Sequence, residues 1–362
     1  MKKLTSKSRW TAWVLCLASA VSSSVSMAAE KLYLFNWNDY LAEETLKRFE
    51  AECACEVHQD YYSATEEMLA KLQAGASGYD VVIPTQNAVE TLIKQKFLAP
   101  LDKSKLPNIK NAAAAYLDRS YDKGNVYSVP YAFTTTLIGY NETEISKLGI
   151  DANDWSILFD PVVLEKIKGK VTAMDDSDEL FGAALIYLGF SPNDTVPEHL
   201  KQAQAVISKA KPYWAAFNSS SYIKELTVGN IWVAHGYSSD MFQARADALE
   251  AKRAFTVNFA LPKQGAILAL DNMVIPKDAK NVALAHRFIN FMMDPKNAAD
   301  LTNMMGTGNP NAAAITHIKP EIQQIKAIFP DQTLQAKLQT LGSRDVKSRR
   351  VLNKLWTEVK LK

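Results

Sequence analysis

Four clusters in this 362-residue chain hold side chains able to do chemistry. The segment Asn36-Trp37-Asn38-Asp39-Tyr40 follows the apolar run Leu32 to Phe35 and sets two aromatic rings beside a carboxylate. A cation suits such a group, since ring faces attract it through their quadrupole and the acid through its charge. Packing at a cleft rim is the alternative for Trp37 and Tyr40. The segment His235-Gly236-Tyr237-Ser238-Ser239-Asp240 again places an aromatic and an acid after an apolar strand, and it contains the residue types of a nucleophilic triad. Asp271 interrupts the apolar run from Ile267 to Pro276. A carboxylate in a buried strand costs several kcal/mol unless it is compensated; a cationic ligand would do so, as would backbone amides or a protein cation. Last, Cys53 and Cys55 flank a single alanine, spaced either for a small disulfide, the favoured reading in an oxidising compartment, or for two reduced thiols.

Hydrolysis is not the chemistry these residues suggest. Triad members usually arrive from separate elements, and the glycine-bounded elbow that exposes a nucleophile is missing around Ser238. Gly75-Ala76-Ser77-Gly78 lacks the lysine and the spacing of a phosphate loop. No histidines stand at metal spacing, and His58 alone lies near the cysteines, short of the about four ligands a zinc site needs. Aromatic and acidic residues at strand ends, without a reaction to perform, describe a binding protein that is not an enzyme.

The elements that must position them follow from periodicity. Lys2, Lys3, Lys7 and Arg9, an apolar stretch from Trp10 to about Val21 and small residues up to Ala29 have the layout of a cleavable export signal over residues 1–28. Without it, 37 basic residues face 39 acidic ones, a net charge of about −2 with histidine neutral. That charge, with no basic stripe, argues against nucleic acid. Arg344, Lys347, Arg349 and Arg350 read as a solvated helix face. With 48% hydrophobic residues the remaining chain is long enough for two domains. Strand and helix signals alternate from Leu32 to Ile93, with Ser63 or Thr65 capping the helix near Ala64 and Thr85 or Asn87 the next, which argues a mainly parallel sheet. The β-rich run Tyr127 to Asn141 is too long for one ordinary strand and reads as a crossing into a second lobe.

Five segments, Asn36 to Tyr40, Tyr79 to Thr85, Ser128 to Tyr131, Gly236 to Asp240 and Leu270-Asp271, stand in the order and spacing of the periplasmic spermidine/putrescine-binding proteins of ABC importers, and the chain resembles that family over nearly its whole length after the leader. The resemblance implies an α/β, two-lobe hinged periplasmic binding protein fold of the type II-like class, with mixed sheets and helices on both faces. Residues 29–133 with 261–309 would form one lobe, and 134–260 with 310–362, including the C-terminal helices, the other. It implies capture of an aliphatic di- or polyamine in the periplasm, as a monomer without cofactor or metal, and delivery to an ABC permease of the inner membrane; the alternative is a polyamine sensor docking on a membrane receptor. Carried over residue by residue, Trp37 and Tyr40 would wall the methylene chain with Asn38 and Asp39 beside them, Thr85 would help bind an amine, and Glu179, Asp240 and Asp271 would hold ammonium groups. Asp176 is a weaker candidate. Tyr237 stands where the family usually has tryptophan, and Ala269 and Gly306 stand where it has rings. Two ring contacts are therefore expected to be missing, each worth roughly 0.5–2 kcal/mol to a desolvated cation.

Overall fold

Strand β1 (Glu30–Trp37) forms where the apolar run predicts it, because both of its faces are covered: Leu32, Leu34 and Phe35 are buried between two packed layers. It pairs in parallel with β2 (Cys55–Tyr62) on one side and β3 (Val81–Val82) on the other. The computed structural model describes residues 29–75 and 78–361, so the expected leader, residues 1–28, lies outside the described residues.

Helices Glu43–Cys53, Thr65–Gln73 and Gln86–Lys94 alternate with these strands as expected. The predicted side-chain caps do not form. Ala64 occupies the N-cap of the second helix, and Glu67 instead reaches back to accept from the Ser63 amide and hydroxyl. Thr85 stands at the N-cap of the third, but its hydroxyl donates to the Asn87 side chain. A disulfide joins Cys53 to Cys55 where the first helix turns into β2, with Ala54 between them in the left-handed region.

The long run is one strand, β4 (Ser128–Asn141), and it does cross. Its first half pairs antiparallel with β9 (Ala266–Val274), and its second half with β7 (Val233–Tyr237) and β8 (Val257–Ala260). Beyond β7 lie β5 (Val171–Ala173) and β6 (Ala216–Phe217), and β10 (Leu338–Thr340) adds to β9. The mixed order β2-β1-β3-β9-β4-β7-β5-β6 thus runs unbroken through both lobes. Two parallel blocks, β2-β1-β3 and β7-β5-β6, are joined by antiparallel pairings; β9 enters antiparallel to β3 because it returns from the far lobe.

Two buried clusters clothe the faces of the β1–β3 sheet, and a larger one spans the second lobe from Leu137 to Val359. Where they meet, Tyr116, Phe133, Leu268 and Leu270 form a small cluster of their own. Phe133 stacks on Tyr116 at 4.9 Å between ring centres and exchanges two backbone hydrogen bonds with Gly308. A Cβ on Gly308 would stand 2.0 Å from the Phe133 ring. Gly308→Ala should therefore displace that ring and destabilise the protein by about 1–3 kcal/mol, read as a lower denaturant midpoint. An unchanged midpoint would show that the junction tolerates movement of Phe133.

Candidate functional site

A cavity of about 620 Å³ lies where the strands of both lobes end, and Asp271 of β9 is on its wall. The residue is 5% exposed. Its Oδ2 accepts from the Tyr40 hydroxyl at 2.8 Å, and Tyr40 is itself held by Tyr131, whose hydroxyl donates to the Tyr40 carbonyl at 2.7 Å. Among the described residues, Asp271 Oδ1 has no partner within hydrogen-bond distance, nor does the indole N–H of Trp37, which stands near this carboxyl. Burial pushes the Asp271 carboxyl up to about 7; the Tyr40 hydroxyl and the nearby Trp37 indole hold it down only in part. Among the described residues, neither a protein cation nor a backbone amide pairs with this acid. Thr85 sits directly across from it through an antiparallel bridge. Trp37 packs on Tyr62 at 4.4 Å, which fixes its ring as a wall of the cavity.

Glu179 supplies the acid on the other lobe. Asp176 caps the helix Ser177–Tyr187, its Oδ1 accepting from the amides of Asp178 and Glu179, and so sets Glu179 in the first turn. Glu179 is 7% exposed and lines the cavity. Its Oε2 accepts from the Thr136 hydroxyl of β4 at 2.7 Å. Burial raises its carboxyl to about 8, with Asp176 and Asp178 adding repulsion and the Thr136 bond opposing. The ring of Tyr237, half-buried, closes this end.

Six of the expected residues, Trp37, Tyr40, Thr85, Glu179, Tyr237 and Asp271, thus meet at one cavity, and Asp176 joins them. Asn38, Asp39 and Asp240 do not line it. Asn38 and Asp39 are exposed, and Asp39 takes a φ of 53°, so the chain turns away after Trp37 before Tyr40 returns. Asp240 falls in the first turn of the helix Ser238–Glu250, and its carboxylate accepts from the Tyr222 hydroxyl. The rest of the triad-like segment is equally dispersed. Ser238 accepts from the Thr135 amide, and His235 is fully buried with Nδ1 accepting from the Met174 amide. Ala269 is on the cavity wall, where a larger side chain would take up space. Gly306 is not; it ends the helix Pro295–Met305 at φ 65°, with the Phe242 ring against its backbone. The basic face near the C-terminus divides. Lys347 and Arg350 are exposed as expected, whereas Arg344 and Arg349 line the cavity and both bond to Asp178.

An aromatic-walled cleft between two α/β lobes, with a buried acid on each, is a receptor for a small solute. The chain belongs to the bacterial extracellular solute-binding proteins, whose family model matches residues 44–330. It is 70% identical to the putrescine/cadaverine-binding protein of Pseudomonas aeruginosa over 92% of this chain and 95% of that one. The putrescine-binding periplasmic protein PotF of Escherichia coli is 35% identical over 97% of this chain and 98% of its own length. Among solved structures, the spermidine/putrescine ABC transporter substrate-binding protein PotD of Streptococcus pneumoniae superposes with a TM-score of 0.84 at 28% identity, over 92% of this chain and 99% of that one.

The raised carboxyls make stability depend on pH. Between the ordinary carboxylate range and about pH 8 the folded chain keeps protons on Glu179 and Asp271 that the unfolded chain has lost, so stability falls as pH rises. His235, held far below its usual range by burial, weakens the fold on the acid side instead. From about pH 6.5 to about pH 8.5 the melting temperature of the ligand-free protein should fall, and Glu179→Gln should flatten the slope. An equal slope in the variant would mean that Glu179 ionises normally.

Proposed function

We propose that this chain captures an aliphatic di- or polyamine of the putrescine/spermidine class outside the cytoplasm and hands it to an ABC permease. One observation carries the reading: Asp271, buried on the cavity wall, has an oxygen without a partner beside the unpartnered indole of Trp37. Such an acid calls for a cation that brings its own N–H donors, and an ammonium group does so. The two acids on opposite lobes suit a ligand with a cation at each end, and Trp37 and Tyr237 suit the apolar chain between. The names of the relatives, putrescine- and cadaverine-binding among them, support the same class.

In this reading Trp37, Thr85, Glu179, Tyr237 and Asp271 touch the ligand, and Tyr40 chiefly orients Asp271. Asn38, Asp39 and Asp240, which are off the cavity wall, are not among these contacts. Residues 1–28 direct export to the periplasm, and the chain binds its solute without transforming it. The hinge runs through β4 after Phe133 and through β9; the grouping of Ala266 and Ile267 with the second lobe's core and of Met273 with the first supports a crossing between them.

Calorimetric titration of ligand-stripped protein with putrescine, cadaverine, agmatine and spermidine tests this directly. At least one amine should bind, and Asp271→Asn should weaken it by more than about tenfold while leaving the fold intact. An ammonium group beside each acid favours the charged carboxylate, so binding near neutral pH should release protons, detected as a dependence of the apparent enthalpy on the buffer. No heat with any of the amines would overturn the proposal.

A further inference from the structure

We propose that Gln86 is a positioning residue that makes the cleft selective for diamine length: through residues 341–344 it holds the two buried acids at a set separation. The inference rests on the amine reading above.

The outer edge of β9 explains what Gln86 does. β10 covers this edge as far as Leu268, and the bridge from Thr85 meets it at Asp271. Between them stands the Leu270 amide. The Gln86 side chain takes it, Oε1 accepting at 2.8 Å, while Nε2 donates to the Leu341 carbonyl at 3.1 Å. Gln86 is 5% exposed and lines the cavity. Its oxygen is already engaged by a buried amide and its other group is a donor, so it suits a backbone carbonyl better than an ammonium group.

Residues 341–344 run from this point along the cavity wall as a strap between the lobes. On the first lobe, the Ser343 hydroxyl donates to Glu90, one helical turn after Gln86. On the second, Asn193 donates to the Thr340 carbonyl and accepts from the Gly342 amide, at 2.8 Å each. The Arg344 side chain, 4% exposed, donates to Asp178 Oδ1 at 3.1 Å and to the carbonyls of Asp194 and Pro192 at 2.9 and 3.0 Å. The strap therefore starts beside Asp271, at the Leu270 amide, and ends beside Glu179, at Asp178. Acids tied in this way across a hinge keep a limited range of separations, and a ligand with a cation at each end fits when its chain has the matching length.

Calorimetric titration with 1,3-diaminopropane, putrescine, cadaverine and 1,6-diaminohexane reads the effect. Wild-type protein should bind one or two neighbouring lengths best. In Gln86→Ala the ratio of dissociation constants between the worst- and best-bound diamines should fall about fivefold or more. Asn193→Ala, at an exposed position that leaves the Leu270 amide paired, should lower the same ratio. A purely structural role would weaken every length by one factor. An unchanged ratio in either folded variant, or wild-type protein indifferent to length, overturns the proposal. Wild-type protein that binds none of the diamines would instead bring down the amine reading itself, and this one with it.

Discussion

The antiparallel pairing of β4 with β9 is the constraint on which the rest depends. Residues Ser128 to Thr135 lie against Val274 to Leu268, and the same two strands continue into the second lobe. This ladder is both the link between lobes and the floor of the cavity. Asp271 sits in it, paired with Ala132 and bridged to Thr85, so this buried acid is built into the element that both lobes share. Thr136, which bonds Glu179, lies only a few residues further along β4. One ladder thus carries both Asp271 and the hydroxyl that holds Glu179.

The acids come with a cost that the fold leaves uncompensated. In the empty cleft, desolvation raises both carboxyls into the neutral range, and Tyr40 and Thr136 each answer one oxygen only. In the proposed reading, a doubly charged solute would remove that penalty at both ends at once. The aromatic walls add area and cation attraction, but Ala269 leaves room where a ring could have narrowed the cavity.

Much of this was legible in the sequence, for identifiable reasons. The length of the β-rich run ending at Asn141 exceeded an ordinary strand and marked the crossing; the cost of an acid within Ile267 to Pro276 marked Asp271. The resemblance pointed to Glu179 and Thr85. What could not be read depended on local backbone geometry or on distant partners. The left-handed turn at Asp39 takes that side chain away from the cavity, and nothing in an Asn-Asp pair distinguishes such a turn from a strand end. The helix that begins at Ser238 aims Asp240 at Tyr222, although its place in the chain resembles that of a ligand residue. Arg344 looked like one of several solvated cations because its partner, Asp178, is 166 residues earlier. An ion pair of that separation leaves no local pattern.

Separation along the chain has another consequence. Tyr40 and Asp271 are 231 residues apart, yet one hydrogen bond between them completes the wall of the first lobe. The β1–β3 sheet likewise gains its neighbour β9 only after residues 134–260 have been synthesised. Closing so long a loop delays the reward for ordering the early strands, and topologies of this kind fold slowly. The β1–β3 sheet thus stays without its β9 neighbour until most of the chain has been made. The cavity wall, which takes Tyr40 from near one end of the chain and Asp271 from near the other, is among the last parts of the fold to be completed.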